Sequence, residues 1–252
     1  MIIIELAYSF HLGSDKNKRN TSRSSAKSNK SGSTSLSNNA IQNSAGLTKV
    51  DKHNYRKYDN NQNDIEIIKG SSSLVDDVKK LYKEEFDEAK EEYNLKQIRD
   101  DRKIKDYFTH ISNNEKNDLA CEIIIELGDK KYWDTKDDKF KRRMTNVYNK
   151  QIEDLEIILP TFKIASAIIH YDETSPHMHI IVGVPIKFNN KNGMKKQVGK
   201  SDVFTKESLR KLQDKMRTLC IESFNKEYNL TNTLKGKKKG RNHDYHITEM
   251  DN

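Results

Sequence analysis

The sequence predicts an α+β fold with a largely antiparallel sheet and helices packed on one face of it. Runs rich in β-branched residues and amphipathic helical runs follow one another in the order β, α, α, β, α, β, β, α, a mixture that excludes all-α and all-β classes. The last two strand-like runs are joined only by Asp172-Glu173-Thr174-Ser175-Pro176, too short for the crossover that a parallel pair needs. Hydrophobic residues fill 33% of the 252 positions, well below the roughly 45–50% of an average globular domain, so part of the chain is expected outside any core.

Met1 to His11, with Ile-Ile-Ile-Glu-Leu-Ala-Tyr-Ser-Phe, is too short and too β-branched for a helix and reads as a buried strand. Residues 14–46 are dominated by Ser, Asn, Lys and Thr, cannot offset the entropy of ordering themselves, and are expected to form a mobile basic loop. Ser73 can cap a helix whose apolar positions Leu74, Val78, Leu81, Tyr82, Phe86 and Ala89 recur at helical spacing to about Tyr93. A second amphipathic helix is expected from Leu95 to Ile111, carried by Ile98, Ile104, Tyr107, Phe108 and Ile111. Leu119 to Leu127 reads as a strand ending at Gly128, and Phe140 to Ile158 as a helix stopped before Pro160. Strands over Phe162–Tyr171 and His177–Ile186 follow, then a helix from Thr205 to Tyr228. This gives one domain over residues 1–230 and a basic tail over 231–252.

Charge and cysteine content narrow the function classes. The formal net charge is +8. Residues 11–60 carry 10 basic and 3 acidic side chains and residues 187–252 carry 16 and 8, whereas residues 61–186 carry 20 basic against 26 acidic. Basic flanks around an acidic middle suit a protein that grips a polyanion, although solvated lysine-rich faces give the same balance. No stretch approaches the ~20 apolar residues of a membrane span, and the first residues lack a charged leader region and a small-residue cleavage site. Cys121 and Cys220 stand apart, which fits a reducing, cytoplasmic setting with no disulfide framework.

The densest chemical signal is His170-Tyr171-Asp172-Glu173-Thr174-Ser175-Pro176-His177-Met178-His179. Strand side chains alternate with period two, so His177 and His179 share a face. A hairpin turn over 172–176 would bring His170 opposite them. Three imidazoles without a nearby cysteine suit a catalytic metal with open positions, and phosphate chemistry favours an oxygen-loving ion such as Mn²⁺ or Mg²⁺. An HxH pair alone would read as surface histidine. Glu173 could be a ligand, a base, an orienting group or a turn residue. A nucleophile is available in the second cluster, Lys49-Val50-Asp51-Lys52-His53-Asn54-Tyr55-Arg56-Lys57-Tyr58, where His53, Tyr55 and Tyr58 are candidates. If this cluster is helical, His53 and Arg56 share a face and aim at one phosphate. Lys49, Lys52, Arg56 and Lys57, with Lys237, Lys238, Lys239 and Arg241 of the tail, are the expected DNA contacts.

His53-Asn54-Tyr55-Arg56 upstream of His170-Tyr-Asp-Glu-x-x-Pro-His177-Met-His179 resembles the MobV (Pre/Mob) plasmid mobilisation relaxases, the plasmid recombination enzymes. Glu85 to Phe108, with its run Phe86-Asp-Glu-Ala-x-x-Glu-Tyr-Asn-x-x-Gln97, and the segment Leu209 to Met216 extend the resemblance over most of residues 47–228. The resemblance implies an HUH-endonuclease-like fold. It also implies a metal-dependent nicking and rejoining of one strand of single-stranded or supercoiled origin-of-transfer DNA through a covalent 5′-phosphate link. His53 would then be the nucleophile, Arg56 would position phosphate, Glu173 would activate or orient His53, and His170, His177 and His179 would hold Mn or Mg. Transfer-machinery proteins are the implied partners. The insertion before the first motif is longer than the family suggests, and the family's C-terminal helical part is not represented after residue 230, so no oligomeric state is expected. Two competing readings stand beside this one. A tyrosine-dependent HUH rolling-circle initiator would need a tyrosine after the histidine pair, where Tyr228 and Tyr245 are the choices; a non-catalytic basic DNA-binding module would need only the flanks.

Overall fold

The computed structural model describes residues 3–12, 40–58, 64–114, 116–172, 176–189, 191 and 193–236; for residues 11, 40 and 177–180 it describes the backbone alone. Its centre is a seven-stranded sheet in the order β2-β5-β7-β6-β4, from Tyr8–Leu12 (β2), Ile65–Lys69 (β4), Ala120–Leu127 (β5), Phe162–His170 (β6) and His177–Phe188 (β7), with Ala40–Ile41 (β3) beside β5 and Lys196–Val198 (β8) beside β7. Every pairing in it is antiparallel. Glu5–Leu6 (β1) leaves this sheet to pair in parallel with Thr233–Leu234 (β9), so the first strand expected from the sequence is two short strands separated at Ala7.

Helices cover both faces of the sheet, which corrects the expectation of one. On one face, Ser44–Asn54 (α1), Leu74–Leu95 (α2) and Tyr107–Ser112 (α3) bury Leu47, Leu74, Val78, Tyr82, Phe86 and Phe108 against Ile168, Val182 and Val184. On the other, Lys130–Trp133 (α4), Met144–Ile158 (α6) and Lys206–Tyr228 (α8) bury Trp133, Tyr148, Leu155, Met216 and Phe224 against Ile123, Ile125, Ile169 and Ile181. The reason lies in the central strands: β5, β6 and β7 are apolar at consecutive positions, and a strand hydrophobic on both sides needs two covers. Asp138–Arg142 (α5) and Lys200–Val203 (α7) are short connecting turns.

Capping fixes where several helices begin. The side chains of Ser73, Asp106 and Thr205 accept hydrogen bonds from the backbone N–H of Asp76, Thr109 and Ser208. Asn43 does the same for Gly46, so the last residues of the loop expected over 14–46 are ordered as β3 and the start of α1. The rest of that loop, and the tail beyond Gly236, lie outside the described residues. The helix expected over 95–111 is not formed as one piece. Asn94 closes the chain by donating to the Ile104 carbonyl at 2.9 Å and accepting from its N–H at 2.8 Å, leaving Leu95 88% and Ile98 100% exposed. Gly128 ends β5 at φ +87, and a Cβ there would stand 2.4 Å from Trp133 Nε1, so only glycine permits the turn that lets that indole donate to the Leu127 carbonyl.

Candidate active site

The two sequence clusters meet at one end of the sheet, on the side covered by α1 and α2. β6 and β7 form the expected hairpin, with His170 and His177 directly opposite in register and His179 two positions on, opposite Ile124 of β5. His170 is fully buried, and its Nε2 donates to the Asn54 carbonyl at 2.8 Å. That bond selects the tautomer whose Nδ1 carries the lone pair. The ring of His53, the residue before Asn54 in α1, lies edge-on to it with centroids 6.0 Å apart. His53 is exposed, whereas His170 is buried.

The residues around His53 are tied to three neighbouring elements. Asp51 accepts from the Leu74 N–H at 2.8 Å, joining α1 to the start of α2, and from Lys57 Nζ at 2.8 Å. Asn54 Nδ2 donates to the Glu122 carboxyl on β5 at 3.4 Å. Tyr55 shares a 2.8 Å hydrogen bond with Ser166 of β6. Arg56 donates through Nε and Nη2 to the two oxygens of Asp172, each at 2.8 Å. The short helix α1 therefore ends against the sheet in one orientation. The segment after His170 is tied as well, by the Tyr171 N–H to the Asp64 carbonyl and by the Tyr148 hydroxyl donating to the Pro176 carbonyl, both 2.8 Å.

Several expected site residues are placed differently from the sequence reading. Arg56 does not share a helical face with His53, because α1 ends at Asn54 and Arg56 adopts a left-handed backbone with φ +50. Its guanidinium is paired with Asp172, with both side chains 6% exposed. Lys57 is engaged by Asp51 and lies over the Tyr55 ring. Lys49 and Lys52 are exposed on α1. Tyr55 is buried, and burial pushes its hydroxyl up to about 12, which disfavours it as a nucleophile. Tyr58 is 45% exposed. Tyr228 lies in the core on the opposite face, its hydroxyl donating to the Phe140 carbonyl at 2.7 Å. Glu173, Lys237, Lys238, Lys239, Arg241 and Tyr245 lie outside the described residues.

The sequence reading missed two carboxyl groups. Glu122 and Glu126 are four apart on β5 and so share a face. Glu126 stands opposite His177 in register. Glu122 is buried, and desolvation pushes its carboxyl up to about 7. The spacing of two glutamates within an isoleucine-rich strand was the available signal. No group of three metal-binding side chains occurs among the described residues, and those of His177 and His179 are not among them. The donor chemistry nevertheless fits a divalent ion with nitrogen ligands. His170 is oriented by a backbone carbonyl, as metal-bound imidazoles usually are, and Cys121 faces the opposite core while Cys220 sits within α8.

The family model of the plasmid recombination enzymes, Mob_Pre, matches residues 40–246. No curated protein matches the chain. Among solved structures, the chain is similar to the relaxase domain of MobM (MOBV; Mob_Pre) bound to a 22-nucleotide plasmid pMV158 oriT DNA with Mn, at 20% identity and a TM-score of 0.53, covering 84% of this chain and 94% of that one. The same domain on 22 nucleotides with a 3′ thiophosphate, also Mn-bound, gives 18% identity, a TM-score of 0.53 and the same coverage. At such identities the likeness establishes the fold.

Proposed function

The chain belongs to the plasmid recombination enzyme family, and on that premise we propose that it is a metal-dependent relaxase acting at the origin of transfer of a plasmid or mobile element. It nicks one DNA strand, holds the 5′ phosphate covalently on His53, and later rejoins the strand. The observation that carries this reading is the meeting of the two motifs: the ring of the exposed His53 lies 6.0 Å from the buried ring of His170, itself opposite His177 in the hairpin. The similar MobM domain was solved on oriT DNA with Mn, which supports Mn²⁺, with Mg²⁺ next, as the ion for His170, His177 and His179.

When bound, a divalent ion there supplies charge neutralisation at the non-bridging oxygens of the scissile phosphate. The chain's own groups do the rest. A ring nitrogen of neutral His53 attacks phosphorus in line with the 3′ oxygen; the P–N bond forms as the P–O bond breaks. The imidazole loses its N–H proton and the departing 3′ oxygen gains one, leaving a phosphoramidate and a 3′ hydroxyl. Rejoining is the reverse, so the phosphoryl bond is conserved instead of being lost to water. Glu173, adjacent to the Arg56–Asp172 pair in sequence, is proposed to orient or deprotonate His53. Lys49 and Lys52, exposed on the helix that carries His53, and the tail lysines with Arg241 are proposed to hold the strand by its phosphates.

None of the described helices is long and apolar enough to cross a membrane, and we place the reaction in the cytoplasm, with transfer proteins as later partners. The burial of Tyr55 and Tyr228 weighs against a tyrosine-dependent initiator. The test is incubation of the full chain with labelled single-stranded origin DNA and Mn²⁺. A covalent adduct is expected, lost with excess EDTA and with His177→Ala or His179→Ala while DNA binding persists. Binding without any adduct would favour the non-catalytic DNA-binding module.

A further inference from the structure

The buried fork between Arg56 and Asp172 links the segment that carries His53 to the segment that carries His170, across 116 residues of sequence. Arg56 follows His53 by three positions and Asp172 follows His170 by two. Nε and Nη2 each donate to a different carboxylate oxygen at 2.8 Å, a planar bidentate match that lysine cannot reproduce. The pair also holds Arg56 in a left-handed conformation that a β-carbon disfavours. Two charges with 6% exposure each are costly to bury, so the pair is weak evidence for stability and better evidence for a fixed geometry. In-line attack on phosphorus tolerates little displacement, since misplacing a reacting group by about 1 Å can cost ~100-fold in rate.

We propose that Arg56 and Asp172 are positioning residues of the strand-transfer reaction: their ion pair is a clasp that sets the His53 ring against His170, and Arg56 does not contact the phosphate of the DNA. This inference rests on the reading of His53 as nucleophile. It assigns to Asp172 a role that the turn position alone does not suggest.

The test uses the full chain and three variants: Arg56→Met, Asp172→Asn, and the paired Arg56→Met/Asp172→Leu. A single variant leaves a buried charge unpaired and can fail to fold; the paired variant removes both charges and keeps the fold testable. Single-turnover nicking of labelled origin DNA, DNA affinity without metal, and the ring-proton NMR signals of His53 and His170 in metal-free protein are measured for each. The clasp predicts a nicking rate down by about 100-fold in the paired variant, unchanged DNA affinity, and loss of the His53–His170 ring contact. It also predicts that the two single losses do not multiply, because they remove one interaction. A paired variant that nicks at the wild-type rate with the ring contact intact overturns the clasp, as does DNA affinity that falls with Arg56→Met alone. If wild-type protein forms no adduct while the ring contact still depends on the pair, the nuclease reading fails and the clasp stands.

Discussion

Burial of a carboxyl group beside the helix that carries His53 has a consequence that can be measured at a single residue. Desolvation lifts Glu122 from 4.5 to about 7, so between these values the folded chain holds a proton that the unfolded chain releases. Stability contributed at this site therefore falls as pH rises through that window and is lowest above about 7. Glu122→Gln keeps an acceptor for Asn54 and should remove this slope, leaving the variant more stable at pH 8 by on the order of 3 kcal/mol and equal to wild type near pH 4, by urea unfolding. An unchanged difference between the two pH values would contradict the assignment. Glu122 escaped the sequence reading because a glutamate in a strand is ordinarily taken as the solvent-facing alternate, whereas here it faces the second core. Asp172 escaped for a similar reason: within Asp-Glu-Thr-Ser-Pro it reads as a turn residue. The facing of His170 and His177 was legible because the six residues between them allow only a tight hairpin, whereas His53, on α1, stood out only through the family motif.

The element proposed to meet the DNA is α1, whose C-terminal end is tied to β5, β6 and the start of α2 while Lys49 and Lys52 remain exposed. Each of these lysines that meets a single-strand phosphate should contribute roughly 0.7 to the slope of log affinity against log salt. Lys49→Ala and Lys52→Ala are thus expected to flatten that slope without changing the rate of nicking at saturating DNA. A slope that stays the same would remove these residues from the interface. At this scale the sequence conveyed the helices of 74–95 and 206–228 through caps and a stripe at every fourth position. It misread 95–111, because apolar spacing was counted without weighing Asn94, whose amide brackets Ile104 and turns the chain. The i, i+3 relation of His53 and Arg56 failed because the helix ends one residue after His53.

For the molecule as a whole, the sheet separates two cores, whereas the sequence reading placed the helices on one face. The short strands β4 and β8 were also invisible: Ile65–Lys69 is too brief and too mixed to stand out from a loop, and its pairing with β6 is a long-range event. Phe86 and Phe224 are fully buried on opposite sides. Phe86→Ala and Phe224→Ala should each cost about 3–5 kcal/mol and should add in the double variant, since no contact joins them; strong coupling in urea unfolding would argue against two cores. The central claim is that this fold brings His53 to a phosphorus atom. It is tested most directly by trapping the covalent DNA adduct with Mn²⁺ and mapping it by peptide mass spectrometry. The account predicts an adduct on His53 that breaks in mild acid, survives alkali better, disappears in His53→Ala and persists in Tyr55→Phe and Tyr58→Phe. An acid-stable adduct that maps to a tyrosine and persists in His53→Ala would contradict it.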